Sequence, residues 1–148
     1  GQIKSGAQFL YSVSNSTVPH LTIILGASYG AGTYAMSGRA YDNKFTFLWP
    51  TAKVAVMGPQ QIAGVMSIVR RARATRTGEK FDEKEDAKMV AFAERAQEEG
   101  SLALRATGAI SDDGIIDPRD TRTVLGICLS LVNGRNIEGS PGYGVYRL

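Results

Sequence analysis

The run Leu21-Thr22-Ile23-Ile24-Leu25, followed without a break by Gly26-Ala27-Ser28-Tyr29-Gly30-Ala31-Gly32, constrains this chain more than any other feature. A short apolar run rich in β-branched residues fits a strand buried on both faces. The small residues that follow cannot sustain the same packing, so the chain turns there, and a helix is expected to start near Thr33. Further on, Phe45-Thr46-Phe47-Leu48-Trp49 and Ala52-Lys53-Val54-Ala55-Val56-Met57 read as two more strands, divided by Pro50 and ended by Gly58-Pro59.

Helical periodicity surrounds these strands. Ile3, Ala7, Leu10 and Tyr11 mark one helical face, closed by Ser14-Asn15-Ser16-Thr17 and Pro19. Ile62, Val65, Met66 and Val69 form an apolar stripe, and Ala87, Val90, Ala91 and Ala93 another within Lys84 to Gln97, with Thr77-Gly78 as the break between them. Asp117-Pro118-Arg119-Asp120 has the marks of a helix start, and Val124, Ile127, Cys128 and Leu131 are the expected buried face of the helix after it. The glycine-rich stretch from Gly139 to Leu148 reads as irregular. Single helices between short buried strands predict a layered α/β domain. A chain that begins almost inside a helix is expected to be a piece of a longer polypeptide.

The single cysteine, Cys128, and the single histidine, His20, exclude an internal disulfide and the common zinc sites. No apolar run approaches the roughly 20 residues that span a bilayer, so neither a membrane nor secretion is expected. The formal charge of +3 hides an internal dipole. Arg70, Arg71, Arg73 and Arg76 stand next to a net-acidic segment from Glu79 to Glu99, and the two runs cancel. A nucleic-acid binder gains counterion-release energy from an uncompensated basic surface. A solvated helix face, or salt bridges between the two runs, is the better reading.

Chemistry is most legible at Leu21 to Met36. A strand, a glycine-rich turn and a helix start leave backbone N–H groups without partners, which favours negative charge nearby. Gly30 and Gly32 permit close approach, so the N–H groups of Ala31 and Gly32 could form an oxyanion hole, or the turn could simply pack helix on strand. A phosphate loop would need Gly-Lys followed by Ser or Thr. Gly30-Ala31-Gly32-Thr33-Tyr34-Ala35 departs from the dinucleotide fingerprint only at a position where alanine is tolerated, but no acidic residue follows at the required distance, so dinucleotide binding stays a poor competitor. Ser28 lacks the Gly-x-Ser-x-Gly frame of a nucleophile, and His20 is the only available base. His20 itself reads as packed, Cys128 as core, and Trp49 as a packing anchor or a pocket wall. Asp112, Asp113 and Asp117 could suggest a metal, but Asp-Asp-Gly reads as a turn and Asp117-Pro118 as a cap.

Several segments together resemble one family. They are Ser14-Asn15-Ser16-Thr17-Val18-Pro19-His20-Leu21-Thr22, Gly26 to Gly32, Met36-Ser37-Gly38-Arg39-Ala40-Tyr41, Trp49-Pro50-Thr51-Ala52 leading to Ala55-Val56-Met57-Gly58, Gln60-Gln61-Ile62-Ala63-Gly64-Val65, and Asp112-Asp113-Gly114-Ile115-Ile116-Asp117-Pro118 with Asp120-Thr121-Arg122. In this order they resemble the carboxyltransferase β subunits of biotin-dependent acyl-CoA carboxylases; the central charged helices, Ser67 to Ala109, agree only in part. The resemblance implies a crotonase-like (ClpP/crotonase) α/β fold, with residues 1–148 as the C-terminal domain of a two-domain carboxyltransferase. By motif position it implies that the N–H groups of Ala31 and Gly32 stabilise the ureido oxygen of biotin, with Tyr29, Gly30, Met57 and Gly58 around that cofactor and Tyr34 in the acyl pocket.

The implied partners are an acyl-CoA, a biotin carboxyl carrier or biotin carboxylase subunit, and further copies of the full-length subunit, with no metal, nucleic acid or membrane. The implied location is the bacterial cytoplasm or the mitochondrial matrix. Gly-Ala-Ser-Tyr-Gly-Ala-Gly points to the methylcrotonyl-CoA and geranyl-CoA branch, with propionyl-CoA and acetyl-CoA left open. A biotin-binding or assembly fragment without activity of its own, or another crotonase-fold acyl-CoA enzyme, remains the alternative. Backbone donors also suit a chain poor in histidine and cysteine, since charge stabilisation by N–H groups needs neither.

Overall fold

A computed structural model describes residues 1–134 together with Asn136, Glu138 and Gly142. Apart from Gly142, the stretch from Gly139 to Leu148, read above as irregular, lies outside the described residues. The elements run α1 (Gln2–Ser14), β1 (Leu21–Ile24), β2 (Ala27–Tyr29), α2 (Gly32–Ala35), β3 (Phe45–Leu48), β4 (Lys53–Ala55), α3 (Pro59–Thr77), α4 (Glu83–Gly100), α5 (Ala103–Gly108) and α6 (Thr121–Asn133), with 3-10 turns at Arg39–Tyr41 and Pro118–Asp120.

β1 pairs in parallel with β3, Leu21 opposite Phe45, and β2 pairs in parallel with β4, Ala27 opposite Lys53. Both tracks break at the same level. Between the ladders the Trp49 N–H donates to the Ile24 carbonyl at 3.0 Å, the Lys53 N–H to Gly26 at 3.1 Å, and the Thr51 hydroxyl to Leu25 at 2.8 Å. The two ladders are therefore successive stretches of one kinked two-track ribbon, with Pro50 and Gly26 supplying the bends. This revises one expectation: Ala27-Ser28-Tyr29 is a strand, because pairing with β4 satisfies its backbone although its side chains are small.

Two later segments complete the edges. On β3, Leu48 exchanges backbone bonds with Gly114 and Ile116, and the Asp113 N–H donates to the Thr46 carbonyl at 2.8 Å. On β4, the Val54 N–H donates to Ser101 at 2.7 Å, and the Ala103 N–H to Ala52 at 3.0 Å. The core lies between these edges, with Leu48, Ala52 and Ala103 fully covered and Ile24, Val54, Ala106 and Ile115 packed on them. Helix α5, which no periodicity predicted, exists because Ala103 and Ala106 cap this cluster.

The helices form where expected, but several faces differ. On α3 the buried and half-buried positions are Pro59, Ile62, Ala63, Ser67, Arg70 and Ala74, so of the expected stripe Ile62 is covered whereas Val65, Met66 and Val69 are exposed. Electrostatics decides this. Asp86 on α4 is 3% exposed and accepts from the Ser67 hydroxyl and from Arg70 at 3.1 Å, so the polar face of α3 turns inward. On α4 the half-buried residues Val90, Ala93, Glu94 and Gln97 follow the same face as Asp86, leaving Ala87 and Ala91 exposed. Arg70 also reaches Glu85, and Arg71 makes a bidentate pair with Glu83 while lying 4.6 Å over the Phe81 ring. The salt bridges expected between the two charge runs are thus present. On α6 only Cys128 is buried, Val124 is half-buried, and Ile127 and Leu131 are exposed, against expectation. On α1 the expected face is half-buried at Ala7, Leu10 and Tyr11, but Ile3 is 91% exposed.

Helix ends follow their local chemistry. Asp82 caps α4 by accepting from the N–H groups of Lys84 and Glu85, and Gly78 ends α3 at a φ of 72°. Asp117 caps the 3-10 turn that leads into α6 by accepting from the Arg119 N–H, and the Arg119 guanidinium holds the Asp117 carboxyl below its ordinary range.

Removing the buried partner should matter far more than removing an exposed one. Asp86→Ala is expected to cost about 2 kcal/mol in denaturant unfolding, since it strands Ser67 and a partly covered Arg70. Arg71→Ala, whose pair is open to solvent, is expected to leave the unfolding midpoint close to that of the parent.

Candidate functional site

The turn after β2 is set by backbone bonds at both ends. The Gly30 N–H donates to the Ala55 carbonyl at 3.1 Å, Gly30 adopts a φ of 73°, and the Thr33 N–H returns to the Gly30 carbonyl at 3.2 Å. At Gly30 the left-handed conformation requires glycine, and an added Cβ would also stand 3.5 Å from the Val56 carbonyl. Ala31 and Gly32 then lie exposed at the start of α2. Among the described residues neither of their N–H groups meets an acceptor, whereas the Ala31 carbonyl accepts from Tyr34 and Ala35. Helix α2 is a single turn, so its macrodipole is small, and the two open N–H groups act as individual hydrogen-bond donors.

Beside them opens a cavity of ≈ 480 Å³ whose walls include Ile24, Gly30, Ala31, Tyr34, Val54 and Val56. Tyr34 is 46% exposed and stacks edge-on against Tyr41, ring centroids 6.1 Å apart. Of the residues singled out from the sequence, Gly30, Ala31 and Tyr34 therefore share one cavity. Tyr29, Met57 and Gly58 make a neighbouring group: β2–β4 pairing sets Tyr29 opposite Ala55, and a Cβ on Gly58 would lie 3.4 Å from the Tyr29 ring. Met57 is partly exposed, and its carbonyl accepts from Gln97 at 3.3 Å. Neither this group nor Gly32 lines the cavity itself.

The cavity wall also contains Arg39, Ser111 and Asp112, which were not singled out as a site. Asp112 is buried, with its carboxylate accepting from the Thr107 hydroxyl at 2.9 Å and from the Gly114 N–H at 2.8 Å. Asp113 accepts from Arg39 at 3.0 Å and from the Thr46 N–H at 2.8 Å. The Asp-Asp-Gly turn reading is right, and the only further signal in the sequence was Arg39 within the segment that follows α2. The turn's approach to Ala31 depends on pairing with β3.

The remaining candidates resolve into packing. His20 is held between the Ser37 hydroxyl on Nδ1 at 2.7 Å and the Ser16 hydroxyl on Nε2 at 2.9 Å. Ser28 bonds instead to the Thr33 hydroxyl at 2.7 Å, so no histidine serves it as a base. Trp49 donates from its indole to the Thr121 hydroxyl at 3.0 Å, anchoring β3 to the start of α6 rather than lining the cavity. Burial pushes the Cys128 thiol up, which suits a packed residue rather than a nucleophile.

A model of the carboxyl transferase domain matches residues 1–140. The chain is 54% identical, over its whole length, to a probable biotin-dependent acyl-coenzyme A carboxylase beta2 subunit of Mycobacterium tuberculosis, and spans 28% of that protein. It is 44% identical over its whole length to the mitochondrial methylcrotonoyl-CoA carboxylase beta chain of Arabidopsis thaliana, and spans 25% of it. The chain thus spans about a quarter of the length of these relatives. Among solved structures, the beta subunit of geranyl-CoA carboxylase from P. aeruginosa superposes with a TM-score of 0.79 at 39% identity, covering 98% of this chain and 27% of that one. The expected α/β crotonase-like fold is the fold of these carboxyltransferases. Among the described residues no helix is long and apolar enough to cross a membrane.

The return of the chain past the turn is sterically tight. A Cβ on Gly38 would stand 2.6 Å from the Thr33 carbonyl oxygen, whereas one on Gly26 meets nothing within 4 Å. Gly38→Ala is expected to cost about 2 kcal/mol and Gly26→Ala less than half of that, compared by thermal or denaturant unfolding.

Proposed function

The chain belongs to the carboxyl transferase domain family, and from that premise we propose that it is the C-terminal carboxyltransferase domain of a biotin-dependent acyl-CoA carboxylase β subunit. The observation that carries the reading is the pair of open N–H groups at Ala31 and Gly32 beside an apolar-walled cavity. These residues fit biotin: two backbone donors can meet one carbonyl oxygen, and the apolar walls suit a ring system of low charge. Bound carboxybiotin, presented on its carrier, supplies the carboxyl group.

The Ala31 and Gly32 donors hold the negative charge that develops as this group is transferred. They are fixed by the turn before the reaction begins, so little reorganisation is needed when the charge appears, and one such donor contributes about 3–4 kcal/mol. Gly30 keeps the approach to them clear. Tyr29, Met57 and Gly58, which stand next to the cavity and not in its wall, are assigned to the cofactor's path into it, and Tyr34 faces the acyl group. No side chain need act as a nucleophile, which agrees with a Ser28 that lacks a base and a Cys128 that is buried. No metal is assigned to this domain.

The relatives named for methylcrotonoyl-CoA and geranyl-CoA favour a branched, unsaturated acyl-CoA as substrate, carboxylated at its α or vinylogous γ carbon. The working unit is a homo-oligomer of the full-length subunit with a biotinylated carrier or biotin carboxylase partner. Its location is the bacterial cytoplasm or the mitochondrial matrix, as the sources of the relatives suggest.

The donor assignment is tested by Gly32→Leu. A Cβ there meets nothing within 4 Å and leucine favours helix, so the fold is retained while the side chain covers the donors. Carboxyl transfer by the full-length subunit with its biotinylated partner, across a panel of acyl-CoAs, is expected to fall roughly 100-fold. Undiminished turnover in this variant would remove the donor pair from the mechanism.

A further inference from the structure

We infer that Thr33 is a positioning residue for the backbone donors at Ala31 and Gly32, acting through the hydroxyl of Ser28; the inference rests on the donor assignment above. The turn from Tyr29 to Gly32 contains two glycines, and glycine allows the backbone more conformations than any other residue. One of them, Gly30, already sits in the left-handed region. A turn of this composition does not hold two N–H groups at a fixed spacing by propensity alone.

The structure closes it with a side-chain bond. The hydroxyls of Ser28, in the middle of β2, and Thr33, in the first turn of α2, stand 2.7 Å apart and span the four residues between them. Ser28 belongs to the paired part of the sheet, opposite Val54, so it is the fixed end of this bridge. The inner backbone bond from Thr33 to Gly30 is longer, at 3.2 Å, and restrains only one side of the turn. Thr33 is in turn held from behind, because its carbonyl and its Cγ2 lie against Gly38, where even a methyl group would not fit. Its β-branched side chain therefore has one orientation available, with the methyl toward Gly38 and the hydroxyl toward Ser28. Thr33 also lines the cavity, but its hydroxyl is engaged with that of Ser28, so the pair joins the strand to the donor-bearing turn.

Two substitutions separate the hydroxyl from the shape. Thr33→Val keeps the branch against Gly38 and removes the hydrogen bond, whereas Thr33→Ser keeps the hydrogen bond and removes the methyl. A purely structural role predicts that activity follows stability, with the serine variant no better than the valine variant. Positioning predicts the reverse order. In the native carboxylase holoenzyme, Thr33→Val is expected to lower kcat about tenfold or more with KM for acyl-CoA within twofold, since small misplacement of a preorganised group is costly. Thr33→Ser is expected to recover most of that loss even where its melting temperature is lower. Ser28→Ala should reproduce the valine phenotype, and the double variant should be no worse than either single one, because each removes the same bond. Gly32→Leu run alongside separates the two levels of the argument. If it abolishes transfer while Thr33→Val leaves kcat within twofold of the parent, or if the serine and valine variants fall together, the positioning role is overturned and the donors stand. If Gly32→Leu is fully active, the donor assignment fails and the role of Thr33 fails with it.

Discussion

Backbone pairing between the two tracks of the ribbon organises the molecule. β1 and β2 run beside β3 and β4 with a shared break, and bonds at Ile24, Leu25 and Gly26 carry the pairing across it. Leu48 sits where everything meets: it ends β3, exchanges bonds with Gly114 and Ile116, and fills the middle of the small core. Because the tracks are parallel and kinked together, the end of β2 arrives beside the end of β4. That arrival brings Tyr29 and Gly30 to Ala55 and Val56, and it aims the following turn over the cavity.

A buried charge sets how the two long helices face each other. Asp86 is buried between α3 and α4 because Ser67 and Arg70 satisfy it, and the same geometry turns Val65, Met66, Ile68 and Val69 outward. Val56, Leu104, Ile110 and Leu131 are exposed as well, so uncovered apolar surface is spread over several elements. Scattered exposed apolar residues are ordinary on monomers, but contiguous ones on helices of this length are typical of surfaces buried by further polypeptide.

The proposed chemistry fits a chain with few reactive side chains. Two amide groups held in a turn can stabilise a developing charge without any change of protonation, so the engagement of His20 with Ser16 and Ser37 costs the mechanism nothing. What the turn needs is rigidity, and Ser28, Thr33, Gly38 and the Ala55 carbonyl supply it from four directions.

Much of this was determined by sequence alone. The apolar run at Leu21, the small residues after it, the Pro50 and Gly58-Pro59 punctuation and the Asp117-Pro118 cap are local signals, and each works through backbone sterics or a bond spanning a few residues. The glycine-rich turn likewise placed Ala31 and Gly32 between a strand and a helix start. Tertiary structure alone decided which helix faces were buried, because a single carboxylate, Asp86, outweighed the apolar stripe of α3 beyond Ile62 once α4 packed beside it. It also decided that Ala27-Ser28-Tyr29 is a strand, since the pairing that stabilises it comes from β4, and that Arg39, Ser111 and Asp112 share a wall with Ala31. Local patterns report what a segment can do on its own; a cavity and a buried charge depend on segments far apart in the chain, whose meeting is fixed only when the backbone bonds between β1, β3 and the Gly114 segment form together.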